Sequence, residues 1–284
     1  MTDIAVIILT KDEKLHIGRC LERIAALSPR QVFVVDCFST DGTQEQVANT
    51  SASLRLCVKI AEHEWPGLYA VQFNWALDNL PIETKWILRM DADEYLTSET
   101  IERLKVVLSD GSLDSVNGLT LELKRKFMGG EIHHGTNGIR LLRVWRYGKG
   151  RLEDRAMDEH ALVEGKVIDF DGAFYDDNLN TFEWWQEKHR GYAKREAMDA
   201  ISLFKNPDRL KNPSVIDRKK IKYYKLPRYF RAVAYFCVRY FLKFGFLDGV
   251  AGFRWHFWQG LWYRWIVDIE IGKMKHESRR RELQ

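Results

Sequence analysis

The chain has 284 residues, of which 45% are hydrophobic and 30% charged. Those proportions fit a folded globular protein and exclude disordered, collagen-like and disulfide-scaffold classes. The net charge of +4 is unevenly spread: of 44 basic and 40 acidic residues, 15 and 5 lie in residues 219–284, so that end carries +10 and residues 1–218 carry −6.

The first apolar run, Ile4-Ala5-Val6-Ile7-Ile8-Leu9, has the continuous pattern of a parallel strand covered on both faces. No basic leader precedes it, so no signal peptide is expected. Ile17, Cys20, Leu21, Ile24 and Leu27 then recur at helical spacing, and Gln31-Val32-Phe33-Val34-Val35-Asp36 is a second buried strand. Ser39-Thr40-Asp41-Gly42-Thr43 is a turn feeding a helix, with Thr40 or Asp41 as cap. A third strand is expected over residues 54–60, a helix over 69–80 and a fourth strand over 86–90. This alternation argues an open, mostly parallel α/β sheet. Its ligands belong at the carboxyl ends of the strands, where Thr10, Asp12, Asp36, Asp91 and Asp93 fall.

Residues 118–124 and 139–145 read as further strands, and residues 181–204 as a helix with Trp185, His189, Tyr192 and Ala193 on one stripe. Asn206-Pro207 and Asn212-Pro213 then break the chain. The sequence therefore suggests a catalytic domain over 1–205, divided into halves 1–110 and 111–205, and a helical appendage over 206–284. Cys20, Cys37, Cys57 and Cys237 lack metal-ligand spacing, which fits reduced thiols in a cytosolic setting. No stretch reaches the roughly 20 uncharged apolar residues that span a bilayer.

The chemistry concentrates in two acidic runs, Asp91-Ala92-Asp93-Glu94 and Asp158-Glu159-His160. Two carboxylates at the end of a buried strand repel unless a cation lies between them. Oxygen ligands suit Mg²⁺ or Mn²⁺, ions that commonly accompany a diphosphate. The pairing suggests a divalent ion holding a nucleotide-linked leaving group, with a second carboxylate free to act as base. Solvated turn residues are the plain alternative.

With these residues in view, the chain resembles family 2 glycosyltransferases of the GT-A fold, above all bacterial enzymes of lipopolysaccharide core, capsule or exopolysaccharide synthesis. The resemblance rests on Ile8-Leu9-Thr10-Lys11-Asp12-Glu13, Val34-Val35-Asp36, Ser39-Thr40-Asp41-Gly42-Thr43, Trp86-Ile87-Leu88-Arg89-Met90-Asp91-Ala92-Asp93-Glu94 and Asp158-Glu159-His160. It covers about residues 1–200. Asp12 departs from the family's frequent Asn, and Cys37-Phe38 stands where small residues are common.

The resemblance implies a metal-dependent, inverting hexosyltransferase that uses a nucleotide-sugar, UDP-linked by preference. Thr10 and Asp36 would line the nucleobase pocket, with Asp12 nearby. Asp91 would sit by the ribose or the metal, and Asp93 would bind the metal. Glu159 would be the general base, with Asp158 as the alternative. His160 is a further metal ligand or a structural histidine. Arg143 is a candidate for the diphosphate, although alternating arginines on a strand also describe a solvated face.

Seventeen of the 36 aromatic residues lie in 223–265, mixed with Arg228, Arg231, Arg239, Lys243, Arg254 and Arg264. That mixture suits an anionic membrane surface, so peripheral attachment to the cytoplasmic face of the inner membrane and a lipid-linked glycan acceptor are expected. Packing of these aromatics as core is the competing reading. No nucleic-acid motif accompanies the charge. A nucleotidyltransferase would need a Gly-rich phosphate loop that the N-terminus lacks. A non-catalytic nucleotide-sugar-binding protein would not need Asp93 and Glu159.

Overall fold

Alternate residues of the first strands serve two different cores, and this explains their unbroken apolar runs. A computed structural model describes residues 1–136, 138–153, 160–211 and 213–282. In chain order the elements are β1 (Thr2–Thr10), α1 (Lys14–Leu27), β2 (Pro29–Asp36), α2 (Thr43–Leu54), β3 (Val58–Glu62), α3 (Tyr69–Asn79), β4 (Trp86–Asp91), β5 (Glu94–Leu96), α4 (Ser98–Val107), β6 (Gly118–Phe127), β7 (Gly130–Ile132), β8 (Ile139–Arg146), β9 (Gly150–Leu152), β10 (Ala161–Val163), β11 (Val167–Asp176), α5 (Phe182–Lys205), α6 (Pro207–Lys211), α7 (Val215–Tyr224), α8 (Phe230–Cys237), α9 (Gly249–Trp255) and α10 (Tyr263–Glu282). Two compact units form: residues 1–126 with 138–179, and 127–137 with 180–284.

In the first unit, eight strands of one sheet follow the order β3-β2-β1-β4-β8-β6-β11-β5. Strands β3, β2, β1 and β4 are parallel, β8 runs antiparallel to β4 and β6, and β6 and β11 are parallel. Ile4, Val6 and Ile8 face α1, α2 and α4 through Ile17, Leu21, Val47 and Leu104. Ala5, Ile7 and Leu9 face α3 through Ala70, Phe73 and Leu77. The mixed, mostly parallel sheet flanked by helices is the architecture expected from the sequence.

One strand starts later than expected. Residues 54–57 are not β: α2 continues through Leu54, and Arg55 closes it in the left-handed region, its N–H bonded to Ala52 O. Leu54 and Leu56 pack against the α1–α2 side of the core, so their alternation reflects a helix end followed by a turn. The α2 start is served by the Asp41 carboxylate, which accepts the Thr43 N–H at 2.9 Å, while Gly42 takes the cap position with φ 92°.

The second unit is helical. Thr181 caps α5 by accepting the Trp184 N–H at 3.2 Å. Ala193, Ala197 and Ala200 of α5 pack against Tyr263, Val267 and Ile271 of α10. The buried Glu196 receives the hydroxyls of Tyr224 (2.8 Å) and Tyr263 (2.6 Å) and pairs with Arg264. α5 thus shares one core with α10, in the unit that comprises residues 127–137 and 180–284. Arg231 and Arg239 are inside it: Arg231 pairs with the buried Asp268, and Arg239 Nε donates to Gly135 O at 3.2 Å. These two basic residues therefore do not face solvent. No helix among the described residues is long and apolar enough to cross a membrane.

Candidate active site

Three parallel strands of the first unit end side by side. In register, Thr10 of β1 lies opposite Asp36 of β2, and Leu9 lies opposite Asp91 of β4. Asp36 is fully buried, and its carboxylate is saturated. It accepts from Thr10 Oγ1 (2.8 Å), Ser39 N (2.8 Å), Ser39 Oγ (2.6 Å) and Gln44 Nε2 (2.8 Å). Burial alone would raise its pKa, but these donors, led by Ser39, hold it below the usual carboxylate range. Asp12 adopts φ 55°, a region that Asp tolerates better than most residues. Its N–H donates to Ser39 Oγ and its Oδ1 accepts the Thr40 N–H, both at 2.8 Å. Lys14 N–H reaches Asp41 Oδ2 at 3.0 Å. The loops after β1 and β2 are thus laced together.

The Asp-x-Asp turn follows β4 directly. Tyr69 OH donates to Asp91 Oδ1, and the Asp91 N–H donates to Glu94 Oε2 at 3.1 Å. Arg143, on the neighbouring β8, is buried. Its guanidinium stacks on Phe174 (4.6 Å to the ring centroid), pairs with Glu94 at 2.5 Å and approaches Asp91 at 3.9 Å. Asp93 Oδ2 accepts from Asn178 Nδ2 at 2.9 Å, and Asp93 O accepts the Asp177 N–H at 3.1 Å. Arg19, held by Asp177 at 2.7 Å, braces the same turn. Burial first, then repulsion from Asp176 and Asp91, pushes Asp93 up to about 6. Burial also raises Glu94, with Asp91 and Asp93 adding to the rise against the pull of Arg143.

Four carboxylates therefore crowd one end of the sheet, and two of them, Asp93 and Glu94, are disfavoured as anions. A cation would relieve that cost. Among the described residues, no three His, Cys, Asp or Glu side chains are grouped to hold a metal ion. The expected trio of Asp91, Asp93 and His160 is accordingly not assembled. His160 is exposed, and its backbone carbonyl accepts the Glu153 N–H at the β9–β10 hairpin. One or two carboxylates nonetheless suffice for Mg²⁺ when water and phosphate oxygens complete the shell. Asp91 and Asp93 fit that smaller requirement.

The family model for glycosyl transferase family 2 matches residues 5–155, more than half of the chain. The chain belongs to this family. Among solved structures, the chain is similar to the mannosyltransferase PcManGT from Pyrobaculum calidifontis, whose structure is with GDP-Man and Mn²⁺. Identity is 16% and the TM-score 0.53, over 95% of this chain and 87% of that one. It is also similar to S. aureus TarS 1-349 in complex with UDP, at 18% identity and a TM-score of 0.45. That match covers 68% of this chain and 64% of the TarS chain, and a second TarS structure is covered over 40% of its length. No curated protein matches the chain in sequence.

Of the expected site residues, the fold brings Thr10, Asp12 and Asp36 together at one pair of loops, and Asp91, Asp93 and Arg143 at the next. Asp158 and Glu159 lie outside the described residues. Arg143 is neither on a solvated face nor at the surface; β8 lies between β4 and β6, so its side chain is turned into the acidic cluster. Sequence reasoning missed Asp176 and Asn178, which β11 delivers beside Asp93, and the brace formed by Arg19 with Asp177. The signal available was Asp176-Asp177-Asn178 after the partly alternating run 167–175, a strand end with the same acidic character as β4.

Proposed function

We propose that this glycosyltransferase moves a hexosyl group, with inversion, from a UDP-linked sugar to a lipid-linked glycan in cell-surface polysaccharide or lipopolysaccharide synthesis. The observation that carries the donor half is the Asp91-Ala92-Asp93 turn at the carboxyl end of β4, where Asp93 is held next to Asp91 and Asp176 at a raised pKa. Asp93, with Asp91, would hold Mg²⁺ or Mn²⁺; the bound ion would neutralise the charge that develops on the departing diphosphate. Arg143 positions Glu94 and Asp91 rather than reaching the diphosphate itself. Thr10 and Asp36 shape the nucleobase side, with Asp12 fixing the loop between them. Glu159, or Asp158 in its place, takes the acceptor hydroxyl proton as that oxygen bonds the anomeric carbon and the sugar–diphosphate bond breaks.

The acceptor half is supported by the second unit. Leu242, Phe244, Leu247 and Val250 are 73%, 57%, 59% and 67% exposed, beside the exposed Lys243 and Arg254. Apolar side chains in water with cations alongside suit the headgroup level of an anionic membrane. A screen of UDP- and GDP-sugars for hydrolysis, with and without EDTA, tests the donor half. Metal-dependent release of UDP from one sugar is the expected result. EDTA-insensitive turnover would overturn the metal assignment, and preference for a GDP-sugar would overturn the choice of base.

A further inference from the structure

The second unit contains a cavity of about 920 Å³ bounded by the last turns of α5, the segment joining α7 to α8, and α10. Its size lies in the range of small-molecule sites. Phe204, Leu226, Ile271 and Met274 give it apolar walls, and Ala200 and Ile271 at its base belong to the α5–α10 core. Four cations line it as well: Lys205, Arg228, Lys275 and Arg231, the last paired with the buried Asp268.

The first three differ from several other cations of the second unit. Arg209, Lys220, Arg231, Arg264 and Lys273 each meet a carboxylate within 3.0 Å. Lys205, Arg228 and Lys275 are exposed and have no acidic partner among the described residues. An apolar trough with three uncompensated positive charges matches an amphiphile that has a long hydrocarbon chain and an anionic head. Phosphate suits the head best, since a guanidinium and two ammonium groups can share its oxygens.

We propose that this groove binds a long-chain lipid phosphate. The chain lies against Phe204, Leu226, Ile271 and Met274, and the phosphate lies at Arg228, Lys205 and Lys275. The proposal deepens the lipid-linked acceptor reading and rests on it for its biological meaning, but its test does not use sugar transfer.

The test is calorimetric titration of the full chain with farnesyl monophosphate, kept below its aggregation concentration, with farnesol and inorganic phosphate as controls. Farnesyl monophosphate should bind at micromolar concentration, farnesol about tenfold or more weakly, and inorganic phosphate not at all at about 1 mM. The double variant R228Q/K275Q should lose about tenfold in affinity for farnesyl monophosphate and leave farnesol unchanged. S202W, a substitution at an exposed position lining the groove, should abolish both. Equal affinity for farnesol and farnesyl monophosphate would overturn the role of the cations. Binding of inorganic phosphate alone would reduce the site to an anion contact and overturn the proposal. Unaltered binding by both variants would place the lipid elsewhere. Donor hydrolysis measured on the same samples separates failure of this proposal from failure of the transferase reading.

Discussion

Replacing Arg143 by Met removes the cation that sits among the acidic residues while keeping much of the side chain's bulk over Phe174. In the native protein the Arg143 and Glu94 side chains are 4% and 6% exposed and 2.5 Å apart. Loss of one partner leaves a buried carboxylate unpaired, which typically costs about 3–5 kcal/mol. For domains of 150–250 residues, about 2–4 °C in Tm accompanies each kcal/mol, so R143M should melt about 6–20 °C below wild type. The cost should depend on pH. Burial already raises Glu94 above its ordinary value near 4.5, and loss of Arg143 raises it further. Between the unfolded and folded values the folded state holds a proton that the unfolded state does not, so stability falls as pH rises through that window. R143M should therefore be closer to wild type at pH 5 than at pH 8. The double variant R143M/E94Q should recover at least half of the loss, because the introduced glutamine can still accept the Asp91 N–H without a buried charge. Urea unfolding at both pH values measures all three quantities. An R143M variant within about 1 kcal/mol of wild type at pH 8 would refute the view that this pair organises the acidic turn.

Mn²⁺ affinity, measured by titration in the presence of UDP, should weaken as pH falls through about 6, where Asp93 takes up a proton; a flat profile from pH 5 to 8 would exclude Asp93 as the ligand. D93N should keep the native circular dichroism spectrum and melt no lower than wild type, since it removes a repelled carboxylate, while turnover falls by orders of magnitude. E159Q should bind donor normally and transfer sugar roughly 10²–10⁴-fold more slowly; a larger loss in D158N would exchange the two roles. Sedimentation with anionic vesicles should show binding that weakens with salt and that L242E/F244E abolishes, whereas K243Q/R254Q should mimic high salt.

Much of this fold was legible because its signals are local. The runs at β1, β2 and β4 are buried on both faces, and a continuous apolar string is what such strands require. Their carboxyl ends then place Thr10, Asp36, Asp91 and Asp93 without further information. What stayed hidden depends on partners distant in sequence. Leu54 and Leu56 alternate like a strand, yet one ends a helix. Asp176 and Asn178 matter only because β11 lies near the Asp93 turn, a neighbour that no local pattern identifies. Arg231 and Arg239 look like surface charge until Asp268 and the Gly135 carbonyl are seen to receive them. The same limit held for Arg143, whose burial follows from strand order rather than from strand content.

The lacing of the loops after β1 and β2 bears on how enzymes of this architecture can be recombined. Asp12, Ser39, Thr40, Asp41 and Lys14 bond across the two loops through side chain to main chain contacts, so neither loop is a separable module. Residues joined in one network respond non-additively to change. A chimera that imports residues 10–14 from a relative leaves the host's Ser39 and Asp41 addressing a foreign backbone, and the reverse graft fails symmetrically. Exchange of substrate preference between relatives is therefore expected to travel with both segments in a single transplant, and accumulated point changes in one loop should be tolerated only when the other has already moved to meet them.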